Sequence, residues 1–203
     1  MLFSASMRGG WNVDLMSLRF FREFLRSPGS VGAVWPSSPA LARMIVRAAN
    51  VAAADFVLEI GPGSGAFTGP ILQSLRPGAR FVAIEKSPDL ARSVAGRFPS
   101  VHVVSGCATE LAAHLDGHGT PDSVVSGLPW AAFGEPLQDA ILRQVTSALH
   151  PDGTFATFAY FGPHWLKAGR AFRKKLEAHF REIRRTPVVV ANLPPAFVYF
   201  CRK

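Results

Sequence analysis

Three glycines at alternate positions, Gly61, Gly63 and Gly65, stand behind an acidic residue in Glu59-Ile-Gly-Pro-Gly-Ser-Gly65. Residues without a Cβ let backbone N–H groups come within hydrogen-bonding reach of a ligand, so this spacing suits a binding turn that Glu59 would organise. The run follows an apolar, strand-like segment and opens a helical one. That places it at the carboxyl edge of an α/β sheet, where open sheets of this kind bind ligands. The dinucleotide fingerprint G-x-G-x-x-G requires glycine at position 66, and Ala66 stands there. Twenty residues beyond Gly65, at the end of the next apolar run, comes Glu85. A carboxylate in that place accepts both ribose hydroxyl hydrogens of an adenosine moiety. A nicotinamide dinucleotide would share that carboxylate, but the sequence offers its pyrophosphate nothing beyond the same turn.

Two further strand ends carry chemistry. The third apolar run ends in Ser105-Gly106-Cys107-Ala108, where Cys107 reads either as the edge of an adenine pocket or as a small buried core residue. The fourth ends in Val124-Val-Ser-Gly-Leu-Pro-Trp130. A nitrogen nucleophile must aim a free lone pair, so fixed acceptors have to hold its hydrogens. The Ser126 hydroxyl and the carbonyls up to Leu128 can supply them, with Pro129 stiffening the turn and Tyr160 joining from the end of the fifth run. Ser126 also borders the cofactor side of this edge. Trp130 reads either as a cation–π partner for a quaternising amine or as a core tryptophan. Ser38, before the first strand, is placed to reach a cofactor carboxylate. His114 and His118 have helical spacing, but Gly117 and Gly119 end that helix and no third ligand accompanies them, so no metal is expected. A G-x-S-x-G elbow and a Walker A lysine are absent.

The elements that must position these residues follow from hydrophobic period. Apolar runs at Phe56–Ile60, Arg80–Ile84, Val101–Val104, Ser123–Ser126 and Thr154–Tyr160 alternate with helical stretches near 65–75, 88–97, 108–115 and 133–149. Alternation of this kind predicts a parallel sheet flanked by helices. A basic helix over His164–His179 and two extended runs, Arg184–Ala191 and Ala196–Cys201, complete the pattern, the latter joined by Asn192-Leu-Pro-Pro195. So short a connection makes the last two strands antiparallel neighbours. The expected fold is α/β and Rossmann-like, of class I methyltransferase layout: a seven-stranded, mostly parallel sheet with an antiparallel last strand. A domain over 51–203 is preceded by an amphipathic helical extension over 1–50, with helices at Val13–Arg26 and from Ser37 or Ser38 to about Asn50.

The 203 residues suffice for one such core. Apolar residues make up 48% and charged ones 18%, which excludes disorder, and Cys107 and Cys201 cannot form a disulfide framework. No signal-peptide layout begins the chain, and prolines interrupt every apolar run before the roughly 20 residues that span a bilayer. A cytoplasmic protein lying peripherally on the inner face of the cell membrane is therefore expected. The net charge of +8 is unevenly distributed: +4 over residues 1–47, −4 over 48–163, +6 over 164–185 and +2 in the last 18 residues. Arg19, Arg22 and Arg26 interleave with Phe20, Phe21, Phe24 and Leu25, as in a helix lying in anionic headgroups or simply packed on its own domain. Lys174 and Arg185 belong to the second basic stretch. An anionic membrane surface is the expected partner, nucleic acid a less favoured one, and a monomer is expected.

The sequence resembles the bacterial phosphatidylethanolamine N-methyltransferases. The likeness rests on Phe24-Leu-Arg-Ser27 leading into Val31-Gly-Ala-Val-Trp-Pro-Ser-Ser38, on Val57–Gly65, on Val124–Pro129 and on Asn192-Leu-Pro-Pro-Ala196. It implies S-adenosylmethionine as cofactor, S-adenosylhomocysteine as product, and methyl transfer to the amine of phosphatidylethanolamine and its methylated intermediates. The cofactor would lie against Ser38, Glu59, Gly61, Gly63, Gly65, Glu85, Gly106, Cys107, Ala108 and Ser126. Trp35, Trp130 and the basic residues would face lipid. Such enzymes usually place an acidic residue where Cys107 stands. An RNA or small-molecule amine methyltransferase is the alternative reading.

Overall fold

A computed structural model describes residues 37–162, 165 and 167–203. The expected helix Val13–Arg26, with Arg19, Arg22 and Arg26, and also Trp35 lie outside the described residues.

Seven strands form one sheet: β1 (Phe56–Ile60), β2 (Arg80–Glu85), β3 (His102–Ser105), β4 (Ser123–Ser126), β5 (Thr154–Tyr160), β6 (Glu182–Arg185) and β7 (Ala196–Arg202). Their order is β3-β2-β1-β4-β5-β7-β6, with β1 to β5 parallel and β7 antiparallel to both of its neighbours. Every residue of β1 is buried, as its unbroken apolar sequence demands of a central strand covered on both faces. The strand order reverses between β1 and β4, the place where open α/β sheets bind ligands outside their carboxyl edge.

The helices are α1 (Pro39–Ala48), α2 (Thr68–Ser74), α3 (Pro88–Arg97), α4 (Leu111–His114), α5 (Glu135–Ala148) and α6 (Lys167–His179). Local chemistry sets their starts. The Ser38 hydroxyl accepts from Leu41 N at 3.2 Å and Pro39 takes the first helical position; Ser87 and Pro88 repeat the device at α3. Packed on one face of the sheet are α4, α5 and α6, through Leu111, Ile141, Leu142, Val145, Phe172 and Leu176. On the other, α1 and α2 contribute Leu41, Ile45, Val46 and Ile71. Each such side chain is worth roughly 1.5–3 kcal/mol when fully buried. Helix α1, assigned from sequence to the N-terminal extension, is thus part of the α/β core, and a boundary at residue 50 is corrected.

One strand is shorter than expected. The run Arg184–Ala191 yields β6 only to Arg185, because Pro187 has no N–H to give the ladder. Pairing resumes as a single bridge between Val189 and Ala196, which leaves residues 190–195 as a tip at the carboxyl edge of the sheet.

Candidate functional site

The glycine turn sits at the carboxyl end of β1 with positive φ at all three positions: +69° at Gly61, +55° at Gly63 and +77° at Gly65. At Gly61 a side chain would be excluded twice over. Its φ is left-handed, and a Cβ would stand 2.6 Å from Leu128 Cδ2. At Gly63, by contrast, a Cβ would meet nothing within 4 Å among the described residues, so the middle of the turn is open on their side.

Beneath the turn lies Glu59, fully buried. Its Oε2 accepts from the Thr68 hydroxyl at 2.8 Å, whereas Oε1 is buried without a hydrogen bond among the described residues. Burial, reinforced by the Glu85 charge and opposed by the Thr68 hydroxyl, pushes the Glu59 carboxyl up to about 8. Glu85, also buried, ends β2 beside the turn: Oε2 accepts from Gly63 N at 3.0 Å and Oε1 from Ser87 N at 2.9 Å. A carboxylate oxygen has room for more than one donor, so Glu85 can hold the turn and still accept ribose hydroxyls. An orphaned acceptor under an open glycine turn, with a second carboxylate on the neighbouring strand, fits a cofactor carrying both an adenosine and a cationic amino-acid end.

Beyond β3 the backbone continues this edge, Gly106 N donating to Glu85 O at 2.9 Å. The His114 ring covers the Cα of Gly106 and excludes a side chain there. Ala108 is buried, while Cys107 is only partly so; the buried thiol is that of Cys201. The core reading of Cys107 is thereby corrected. Its Sγ accepts from the Thr109 hydroxyl at 3.1 Å, and the Thr109 hydroxyl and backbone, aided by Lys86, draw the thiol below the ordinary cysteine range. Glu110 turns toward His114, 3.9 Å from Nε2.

The β4 loop lies directly against the turn. Gly127 N donates to Ile60 O at 2.9 Å, Leu128 packs over Gly61, and a Cβ at Gly127 would collide with the Gly61 carbonyl. Two expectations need correction here. The Ser126 hydroxyl oxygen already accepts from Leu128 N at 3.3 Å and Trp130 Nε1 at 3.2 Å, so it builds the loop and does not grip an amine. Trp130 is a core residue: its ring stacks on Phe172 at 4.9 Å, Nε1 also donates to the Thr157 hydroxyl at 2.9 Å, and no face is left for a cation. Leu128 is half-buried at the edge, its carbonyl accepting from Trp130 N at 3.0 Å. Tyr160 is half-buried three residues beyond Thr157, the partner of Ser126, and on the opposite face of β5; burial raises its phenol.

Ser38 caps α1, and its backbone N donates to Asn192 Oδ1 at 2.8 Å across a separation of 154 residues. Asn192, buried, also donates Nδ2 to Pro194 O at 2.7 Å. Sequence reasoning missed Asn192, Thr68, Thr157 and Gln138, whose Nε2 holds the Trp130 carbonyl at 2.8 Å. A polar residue inside an otherwise apolar strand was the available signal for Thr157. The basic residues separate into two sets. Arg173, Lys175, Arg181 and Arg184 pair with Glu177, Asp139, Asp152 and Glu182, and Arg185 lies over the Phe197 ring. Lys167, Arg170 and Lys174 are exposed along one side of α6. No group of three or more potential metal ligands occurs among the described residues.

Residues 31–105 match the family model described as ribosomal RNA adenine dimethylase. Over 188 residues the chain is 33% identical to the ornithine lipid N-methyltransferase of Singulisphaera acidiphila, covering 90% of this chain and 94% of that one. It is 32% identical over 123 residues to ribosomal RNA small subunit methyltransferase A of a Synechococcus strain, covering 59% of this chain and 44% of that protein, less than half its length. Among solved structures, an O-methyltransferase from Bacillus cereus in complex with S-adenosylhomocysteine superposes with a TM-score of 0.68 at 15% identity, covering 93% and 91% of the two chains. The N-methyltransferase NodS of Bradyrhizobium japonicum gives 0.63 at 14%, covering 80% and 93%. These two show the fold.

Proposed function

Since the chain belongs to the S-adenosylmethionine-dependent methyltransferase family that includes the ornithine lipid N-methyltransferase of Singulisphaera acidiphila, we propose that it methylates the amine of a membrane lipid at the membrane surface. Phosphatidylethanolamine and its methylated intermediates are the acceptors that the sequence resemblance favours. The ornithine headgroup is the second reading, favoured by the name of that full-length relative. The contact of Gly127 and Leu128 with Gly61 carries the proposal, because it sets an amine-orienting loop against the turn that holds the methyl donor.

When bound, the cofactor would supply a sulfonium methyl carbon open to in-line attack by a nitrogen lone pair, the carbon–sulfur bond breaking and the thioether of S-adenosylhomocysteine leaving. This chain's residues bind and aim. Glu85 would take the ribose, and the orphaned Oε1 of Glu59, on the strand that leads into the glycine turn, would accept from the cationic end. The Leu128 carbonyl, with a second lone pair beside its bond to Trp130 N, holds an amine hydrogen. Ser126, Thr157 and Trp130 keep that carbonyl in place from below. An ammonium headgroup must lose a proton before attack. The Tyr160 phenol, raised by burial, stays protonated at neutral pH, so water or a lipid phosphate takes the proton.

The test is incubation with methyl-labelled cofactor and, in separate arms, phosphatidylethanolamine vesicles, ornithine lipid vesicles and total RNA. Label in a lipid fraction is expected. Label in RNA alone would replace this proposal with the ribosomal RNA reading.

A further inference from the structure

We propose that the tip of the 186–195 loop and the start of the β5–α6 connection form a second membrane anchor, an apolar knob that enters the interfacial layer of a phospholipid bilayer. The inference rests on the lipid reading above and adds the surface by which the cofactor edge meets its substrate.

Four of the five large apolar side chains most exposed among the described residues belong to these two segments. Val190 is 79% exposed, Leu193 66%, Trp165 61% and Phe161 40%. The segments are one structural unit. Phe161 N donates to Pro195 O at 2.7 Å, and the Phe161 and Trp165 rings meet edge to face at 4.9 Å. Both segments leave the sheet at one level, because Ala196, at the root of the tip, pairs with Tyr160. That level is the carboxyl edge, which also carries the glycine turn and Glu85.

Three properties select a lipid interface as the occupant. First, three of the six tip residues present no free backbone donor, since Asn192 N bonds Val189 O and Pro194 and Pro195 have no N–H, and Asn192 Nδ2 bonds Pro194 O. Each donor met or missing in this way lowers what the tip loses on leaving water. Second, a tryptophan with aliphatic neighbours is the composition that sits at headgroup depth. Third, the helix that rises from this connection begins without an acidic residue in its first turn and presents Lys167, Arg170 and Lys174 along one exposed stripe. Cations beside an apolar tip complement anionic headgroups. A lipid amine reaches only a short way above the bilayer, so the edge that holds the methyl donor has to be the edge that docks.

The experiment measures partitioning of the full chain onto vesicles of phosphatidylethanolamine and phosphatidylglycerol, for wild type and for Val190→Ser/Leu193→Ser. Both side chains are exposed, so the fold and the cofactor affinity are expected to stay as in wild type. Partitioning should fall about tenfold, since each apolar tip side chain contributes to burial in the interface. Trp165→Phe should also lose the component of tryptophan quenching that brominated acyl chains cause in wild type. Partitioning of the double variant within twofold of wild type, or unchanged quenching in Trp165→Phe, overturns the anchor. So does a lipid-free wild type that sedimentation velocity shows as a dimer and the double variant as a monomer, since the patch would then be a self-interface. Failure of the lipid-substrate reading looks different: wild type would bind the vesicles through this tip yet transfer no methyl to any lipid.

Discussion

The two edges of the sheet carry similar residues and use them in opposite ways. At the amino edge, Asp122 Oδ2 accepts from both Asp55 N and Phe56 N at 2.9 Å, and the hydroxyls of Ser123 and Thr154 converge on Ala49 O at 2.7 and 2.6 Å. Those groups are spent on closing the chain on itself. At the carboxyl edge, among the described residues, Glu59 leaves one buried oxygen without a partner, Glu85 holds a turn of left-handed glycines, and Gly63 opens onto space. A fold retains an orphaned carboxylate oxygen and an open turn where a ligand completes them. Among the acidic side chains of the described residues, similar in chemistry, the state of satisfaction separates binding from support.

The sharpest way to break this contrast is Glu85→Ala. Losing hydrogen bonds to a charged acceptor, each worth about 1.5–3 kcal/mol, should weaken S-adenosylmethionine binding at least 100-fold by calorimetry, with a smaller change in Tm. An unchanged affinity would remove Glu85 from the site. Asp122→Ala should do the reverse. Two backbone N–H groups lose their acceptor, so denaturant unfolding should show a loss of about 2 kcal/mol while cofactor affinity stays within about twofold.

Glu59 gives a smaller effect per step but a directional one. Its folded pKa of about 8 lies above the ordinary 4.5, so the folded state binds the proton more tightly than the unfolded one. Its contribution is therefore fully present below about pH 4.5 and declines as pH rises toward 8, by at most about 1.4 kcal/mol per pH unit. Glu59→Gln should flatten that decline in unfolding experiments run from pH 5 to pH 9. A parallel decline in both proteins would assign the slope to other groups.

Much of this was legible in the sequence. Local signals set by neighbouring residues came through: the strand ends at Ile60 and Ser126, a helix start at one of the serines 37 and 38, and the glycine turn with Glu85 twenty residues on. What stayed hidden depends on partners far along the chain. Nothing near Asn192 announces that its amide receives Ser38 N, 154 residues away. Trp130, in a loop with a proline, has the composition of a substrate-facing aromatic. Only the packing of Phe172 and Thr157 against it reveals a core residue. Basic residues of one stretch likewise look equivalent until Arg173 and Lys175 are seen to be neutralised by acids four positions away or on another helix.

Strand β7 lies between β5 and β6, paired to both, although it is the last of the seven to be made. During synthesis, β1 to β5 can assemble in order as they leave the ribosome, but the outer side of β5 stays an unpaired edge until residues 196–202 have emerged. The nascent domain thus passes through a stage with the cofactor half nearly formed and one sticky border. Pauses in translation, or a stop codon placed before Ala196, should expose that border to chaperones and to aggregation.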